Sequence, residues 1–451
     1  MKRIKLLSKL IPTALIVFSS CTRDEEPSSL ELDDELSAIL NEVSGNQGTS
    51  FFVLPDSDDY NSIPQDPNNP ITDAKVELGK FLYHETGIGL APMLDVGSQT
   101  YSCASCHFAS AGFQAGRFQG LGEGGLGFGM NGEGRVVHAD YDETMVDAQP
   151  VKSPSILNVA YQEALLWNGQ FGALGINSGT DYAWTEGTPI ETNNLGYEGT
   201  ETQAIAGMGV HRMVCTPGVV QNTGYAPYFD EAFPNLPEEQ RYDLERAGLA
   251  IAAYERTVLS NEAPFQKWLK GDPSALTDAE KAGAIVFFGK ANCVSCHSGP
   301  NLASMEFHAI GMNDLSDLPE QTFMAPDDAP ANKGRFSFTG EDEDLYKFKV
   351  PQLYNLADSP FYGHGSSFRS IKDVVVYKNN AAQENFDVPP SQLSDRFVPL
   401  KVTEREIEDL TAFLENGLRD PNLQRYEPSV LPTGNCFPNA DSASQDDLGC
   451  N

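Results

Sequence analysis

Two short runs in this 451-residue chain carry the residue types and spacing of a reactive centre. They are Cys103-Ala104-Ser105-Cys106-His107 and Cys293-Val294-Ser295-Cys296-His297. Thiols at this spacing can add across the two vinyl groups on a porphyrin edge, and the adjacent imidazole can then swing under the iron. Cys-x-x-Cys-His is the attachment signature of c-type haem. The competing chemistries are a zinc site built from four cysteines and a thioredoxin-like redox pair. Zinc does not require a histidine after both pairs, and a thioredoxin motif belongs in a βαβ context that this sequence lacks. The runs therefore predict two covalently bound c-type haems. Cys103, Cys106 and His107 hold one, and Cys293, Cys296 and His297 hold the other, with His107 and His297 as iron ligands.

A sixth iron ligand, or its absence, separates electron transfer from catalysis. The other histidines are His84, His138, His211, His308 and His364. His138 lies in a polar, glycine-flanked loop, where it is either a displaceable ligand or a solvated side chain. Met305, Met312 and Tyr346 follow the second run and are candidates for its iron, although each residue type alone more often belongs to a core.

The elements around these runs form a weak internal duplication. Thr72-Asp73-Ala74 opens a helical pattern with Ala74, Leu78, Phe81 and Leu82 on one face, leading to Cys103. Thr277-Asp278-Ala279-Glu280 is a capping box opening a second helix, with Ala282, Ile285 and Val286, that leads to Cys293. Leu244, Ala247, Ile251, Tyr254 and Val258 form a further stripe. Thr403 to Glu406 is another capping box, followed by Ile407, Leu410, Phe413 and Leu414, with Gly417 expected as the C-cap. Long stretches between helices, notably residues 120–134, are rich in glycine. The expected class is mainly α with long loops.

The ends speak to location. Lys2, Arg3, Lys5 and Lys9 precede an apolar run, residues 10–18, too short to span a membrane. Ser19-Ser20-Cys21 follows, then Asp24, Glu25 and Glu26. This is the pattern of a lipoprotein signal with Cys21 as the lipidated residue, an ordinary secretory signal being the plainer alternative. The chain is expected to be exported and to touch a membrane only through that anchor. The formal net charge is −34, and removing the basic leader makes it more negative. Such a surface repels nucleic acid and anionic lipid and favours solubility, and it could also steer a basic redox partner. Cys436 and Cys450 lie in a Pro/Asn/Asp/Ser-rich tail and are expected to pair; Cys215 is expected to be a buried free thiol.

Several longer motifs give the chain a resemblance to the bacterial di-haem cytochrome c peroxidase family, including the related enzymes that mature tryptophan tryptophylquinone. They are Leu78-Gly79-Lys80, both haem runs, Ser153-Pro154-Ser155-Ile156-Leu157-Asn158 and Leu166-Trp167-Asn168-Gly169. Tyr254-Glu255-Arg256-Thr257, Cys296-His297-Ser298-Gly299-Pro300 and Lys347-Phe348-Lys349-Val350-Pro351-Gln352-Leu353-Tyr354-Asn355 complete the set. The similarity runs from about Pro64 to Leu418. It implies two cytochrome c-like domains with one haem each. Residues 71–240 would carry the peroxidatic haem and residues 241–430 the electron-transfer haem. A signal (1–21), an acidic spacer (22–70) and a disulfide-closed tail (431–451) complete the expected organisation.

The implied activity is reduction of hydrogen peroxide to water with electrons from a small donor protein of cytochrome c or cupredoxin type. The alternatives are peroxide-driven oxidation of a protein or organic substrate and a non-enzymatic two-haem electron carrier. The implied location is the periplasmic side of an outer membrane or the cell surface, and a homodimer is left open. Trp167 matches the family's tryptophan between the haems, and Gln203 matches a family glutamine. Where the family carries a glutamate this chain has His211-Arg212, so acid/base work would pass to His211 with Arg212 polarising peroxide, or activity would be weak or lost. The family's calcium ligands match poorly, with Lys152 for a usual Asn and Ile310 for a common Thr, which leaves calcium open. Tyr346 occupies the position of Met in the peroxidases and Tyr in the quinone-maturing enzymes, a candidate ligand for the second iron.

Overall fold

The computed structural model describes residues 28–450; the leader and Cys21 lie outside them. The described chain is mainly helical, and its only named strands are four two-residue pieces. The helices that organise it are α1 (Ser29–Val43), α2 (Asp73–His84), α3 (Gly199–Val210), α4 (Leu244–Thr257), α5 (Asp278–Phe288), α6 (Ile371–Asn380) and α7 (Glu404–Ala412). Their starts follow local chemistry. The Thr72 hydroxyl accepts the Lys75 N–H at the head of α2, and Asp243 accepts the Arg246 N–H at α4. Full capping boxes, Thr277 with Glu280 and Thr403 with Glu406, open α5 and α7.

The same helix crossing is built twice. A Cβ placed on Gly79 of α2 would lie 1.9 Å from the Ala250 carbonyl oxygen and 2.9 Å from Tyr254 Cβ of α4. One placed on Gly283 of α5 would lie 2.0 Å from the Asp409 carbonyl oxygen and 2.8 Å from Phe413 Cβ. Only glycine allows backbones this close, and in each crossing an aromatic residue packs beside the gap. The duplication continues into the loops. Asn158 and Asn355 both adopt left-handed backbone, φ 59° and 57°. Asn158 donates its N–H to the Val258 carbonyl, just beyond α4, and Asn355 donates to the Leu418 carbonyl, beyond α7.

Two large hydrophobic cores result, with two smaller clusters. The first gathers Leu78, Leu82, Phe113, Phe229, Ile251 and Tyr254, and the second Phe52, Phe265, Phe287, Phe288 and Phe413. Core membership changes between Val258 and Leu259. α4 thus packs in the first core although it lies beyond the expected 240/241 boundary, and Leu423 and Tyr426 pack there too. Within the expected acidic spacer the chain forms α1. Leu36 and Leu40 of α1 are fully buried in the second core, and Asp33 pairs with Lys281 Nζ at 2.7 Å and accepts Trp268 Nε1–H at 2.7 Å. Hydrophobic positions spaced along one face of α1 carry it onto α5 despite its acidity.

Gly417 is not a C-cap. The helical path continues past α7 through a π-type turn, Phe413–Gly417, and ends at Leu418. Cys436 and Cys450 are joined, and Cys215 is a buried free thiol. The joined tail is strapped to the first half of the chain. Ser102 Oγ donates to the Pro438 carbonyl at 2.8 Å, Asp441 pairs with buried Arg135 at 3.2 Å, and the Phe128 and Gly129 N–H groups donate to Asp447.

Candidate active site

Each Cys-x-x-Cys-His run forms one tight 3-10 turn, Cys103–Ser105 and Cys293–Ser295, with its histidine immediately after. In the second turn the His297 Nδ1 hydrogen bonds to the Leu302 carbonyl at 3.0 Å. This assigns the proton to Nδ1 and leaves Nε2 as a free ligand atom. In the first turn His107 Nδ1 is buried without a hydrogen-bond partner. Burial pushes both imidazoles down to about 4, so each is neutral and able to bind metal at neutral pH. The backbones facing them are equivalent: Phe113 and Pro154 face His107, and Leu302 and Pro351 face His297.

The thiols are equally informative. Burial pushes Cys103, Cys106 and Cys293 well up, against the thiolate that a zinc site requires. The two cysteine pairs also sit against different cores, Cys103 against the first and Cys293 against the second. Among the described residues the one metal-like cluster, Cys296 with Glu306 and His308, does not include the first pair. Cys296 differs: burial opposes its thiolate, but hydrogen bonds from His308 and Arg396 lower the thiol to about 7. Two cysteine pairs on separate cores, each followed by a buried neutral imidazole, fit two porphyrin attachments and not one zinc site shared by all four thiols.

Around the first turn the structure assembles groups from distant segments. His211 ends α3, and its Nδ1 hydrogen bonds to Asp147 Oδ2 at 2.8 Å; the Asp147 side chain is 6% exposed and that of His211 33%. Burial works against the charged imidazole, but the Asp147 charge and hydrogen bond outweigh it, and the His211 pKa is raised. Gln203 shares that face of α3. A Cβ on Gly207 would lie 3.4 Å from Gln203 Nε2 and 3.9 Å from His211 Cδ2. The next residues bring this end of α3 to the haem turn, with Met213 Sδ 4.0 Å from Cys103 Sγ.

Arg212 does not take the role expected of it. Its guanidinium is bound to the fully buried Glu123 carboxylate and donates to the Met145 carbonyl at 2.8 Å. Glu123 also accepts the Tyr141 hydroxyl. A guanidinium committed to a buried carboxylate is not available to polarise peroxide. Asp147 and Glu123 escaped the sequence reading because they lie in glycine-rich or irregular loops with no periodicity. Their closeness to α3 depends on the pairing of the Gly122 N–H with the Asp147 carbonyl and of the Asp147 N–H with the Glu123 carbonyl.

Trp167 lies at the junction of the two halves. Its Nε1–H donates to the Lys152 carbonyl at 2.8 Å, and its own carbonyl accepts the Lys349 N–H at 2.8 Å. Tyr346 and Met312 line one small cavity together with Ile310, Asp314, Phe348 and His364, and Met305 is not part of it. Tyr346 has left-handed backbone, φ 61°, and only Phe348–Lys349 beyond it is strand, paired with Phe307–His308. Extended pairing therefore begins two residues after Tyr346. His138 stays apart, just beyond the two-residue strand Val136–Val137, its Nδ1 accepting the Asp140 N–H at 3.2 Å. Neither expected calcium position offers a side-chain carbonyl or hydroxyl oxygen: Lys152 presents an ammonium and Ile310 no side-chain polar atom. The Ile310 carbonyl already accepts the Tyr377 hydroxyl.

A helical chain with two Cys-x-x-Cys-His turns set against two separate cores has the attachment residues for two haem centres. Known proteins narrow this. A profile described as di-haem cytochrome c peroxidase matches residues 73–274. The methylamine utilization protein MauG of Methylorubrum extorquens is 29% identical over 360 residues, covering 80% of this chain and 82% of that protein. The cytochrome c551 peroxidase of Pseudomonas aeruginosa is 26% identical over 437 residues, covering 94% and 96%. A crystal structure of a MauG-like protein associated with microbial copper homeostasis shares the fold, with a TM-score of 0.56 at 22% identity over 82% of this chain and 95% of that one. The chain matches the di-haem cytochrome c peroxidase family over residues 73–274 and is an oxidoreductase. The likeness implies two c-type haems.

Proposed function

We propose that this chain reduces hydrogen peroxide to water with electrons from a small one-electron donor protein, of cytochrome c or cupredoxin type. The observation that supports it most is the His211–Asp147 pair at the end of α3, beside the first haem turn. Reducing peroxide to two waters takes two electrons and two protons. Bound haem would supply the redox chemistry, with Cys103, Cys106 and His107 holding one group and Cys293, Cys296 and His297 the other. The chain's own residues supply the rest. Asp147 holds the His211 imidazole in one orientation and favours its protonated form, so that Nε2 could deliver a proton to peroxide. Gln203, on the same face, offers an amide to orient that oxygen. Arg212 and Glu123 hold the end of α3 in place, and Trp167 offers an aromatic path between the two halves, each of which would be a cytochrome c-like domain. Peroxide consumption by the two-haem protein with a reduced donor is the test. A protein with two haems that consumes no peroxide would overturn the reading.

A second reading, peroxide-driven oxidation of a protein or organic substrate, is favoured by one feature, Tyr346 beside Met312 in a shared cavity. It predicts peroxide turnover that depends on such a substrate and not on a reduced donor. Among the described residues no helix is long and apolar enough to cross a membrane. The leader pattern supports export and anchoring through Cys21; Cys21→Ala should then release the protein from the membrane fraction.

A further inference from the structure

Lys152 and Lys349 hold matching places in the duplicated halves. Each stands two residues before a proline whose backbone faces a proximal imidazole, Pro154 at His107 and Pro351 at His297. Each also ties its own segment to the other half: the Lys152 N–H donates to the His364 carbonyl and the Lys349 N–H to the Trp167 carbonyl, both at 2.8 Å. Both side chains are buried, at 2% and 7% exposure.

Neither ammonium has an anion. Lys152 Nζ donates to the Gln114 amide oxygen and Lys349 Nζ to the Gln162 amide oxygen. No ion pair involving either lysine occurs among the described residues. Lys281, just as buried, has Asp33 at 2.7 Å. An ammonium carries three donors, and an unpaired buried charge costs several kcal/mol. Without a counter-charge burial brings the Lys152 amine down to about 7 and that of Lys349 to about 8.

We infer that Lys152 and Lys349 are matched cationic anchors, each binding a carboxylate of the haem whose proximal histidine its own segment packs against. The inference rests on the two-haem reading. A c-type haem keeps its two carboxylates after its vinyl groups have reacted with the cysteines, which makes it the one anion the site is otherwise known to need. Because the Lys152 carbonyl and the Lys349 N–H also hold Trp167, the same two residues would fix both haem edges relative to the indole between them.

The test uses the haem-loaded full chain, with Lys152→Met and Lys349→Met and the corresponding Arg variants as charge-retaining controls. The readouts are haem content by pyridine haemochrome and the midpoint potential of each haem by spectroelectrochemical titration. Loss of a cation beside a haem carboxylate favours Fe(III). Lys152→Met should shift the Fe(III)/Fe(II) equilibrium of the first haem about tenfold toward Fe(III), a fall of about 59 mV for one electron. Lys349→Met should do the same to the second haem, and the Arg variants should return both toward the parent values. Two retained haems with unchanged midpoints would overturn the inference and leave the lysines as neutral structural groups. A shift in the opposite haem only would overturn the assignment. If a Met variant does not load haem, Lys→Gln keeps a hydrogen-bonding side chain without the charge, and unchanged midpoints there count equally against it. Fewer than two haems in the parent protein would instead defeat the two-haem reading.

Discussion

Trp167 and His364 hold equivalent places in the two halves of the chain, at the same offset that relates Pro154 to Pro351 and Asn158 to Asn355, and their rings meet at 6.3 Å with planes 69° apart. Each follows a left-handed residue, Leu166 with φ 68° and Gly363 with φ 84°. Each carbonyl accepts the N–H of the other half's lysine. His364 is fixed from its other sides by Asp314, 2.9 Å from Nε2, and by Phe348, stacked at 3.6 Å. The junction is therefore a closed set of aromatic rings with defined partners on both sides.

Trp167→Phe keeps a ring at this junction but removes the donor to the Lys152 carbonyl. The folded state should lose about 1 kcal/mol. Haem content should stay at two, while transfer between the halves slows because the indole is the contact between them. Stopped-flow oxidation of the reduced protein by peroxide, followed at each haem's own absorbance, measures this. An unchanged rate at the second haem would remove Trp167 from the path.

Asp147→Asn should move a pH limb without abolishing the fold. Burial alone would lower the His211 pKa, but the Asp147 charge reverses this and raises it, with Arg212 opposing. The protonated form thus persists to higher pH in the parent protein, and the alkaline limb of kcat/KM for peroxide should shift to lower pH in the variant. The sign for stability follows. The pair stabilises the fold fully below the unfolded histidine value, about 6.5, and the gain is lost as pH rises through the raised folded value. His211→Asn should cost on the order of a hundredfold in kcat/KM if the imidazole is the proton donor.

Tyr346→Phe tests the second iron. Tyr346 and Met312 line one cavity with His364, which does not include His308. If the Tyr346 oxygen is a ligand, its removal should convert a low-spin ferric signal in the EPR spectrum to high-spin and raise that haem's potential, with haem content intact. An unaltered spectrum would make Tyr346 a lining residue and weaken the peroxide-driven oxidase reading.

The C-terminal disulfide closes a loop of 14 residues between Cys436 and Cys450. Cys436→Ser with Cys450→Ser should lower stability by about 3 kcal/mol through the entropy of the unfolded chain. The tail also accepts hydrogen bonds from Ser102, Ser105 and Arg135. Hydrogen exchange should therefore rise first in residues 100–105 and 125–135. Protection lost only within the tail itself would show that the strap is passive.

What was legible in the amino-acid sequence is local. The two haem turns could be read because covalent attachment to one porphyrin edge demands a fixed spacing within five residues. The capped starts of α2, α5 and α7 could be read because the capping atoms lie three residues from their donors. The tail pairing followed from two cysteines in a Pro/Asn/Asp/Ser-rich tail of a chain expected to be exported. What tertiary structure alone decided is every relationship carried across irregular backbone. His211 with Asp147, Arg212 with Glu123 and Trp167 with Lys349 each join segments far apart in the chain, through loops whose glycines leave no periodic signal. The same holds for α1, whose acidic composition reads as a solvated spacer until Leu36 and Leu40 find the second core. It holds as well for α4, whose stripe shows that it is a helix but not which core it completes; Gly79, in α2 and more than 160 residues away, settles that by letting the two backbones touch. Short-range geometry is written into residue spacing, whereas burial and charge pairing depend on which surfaces the folded chain brings together.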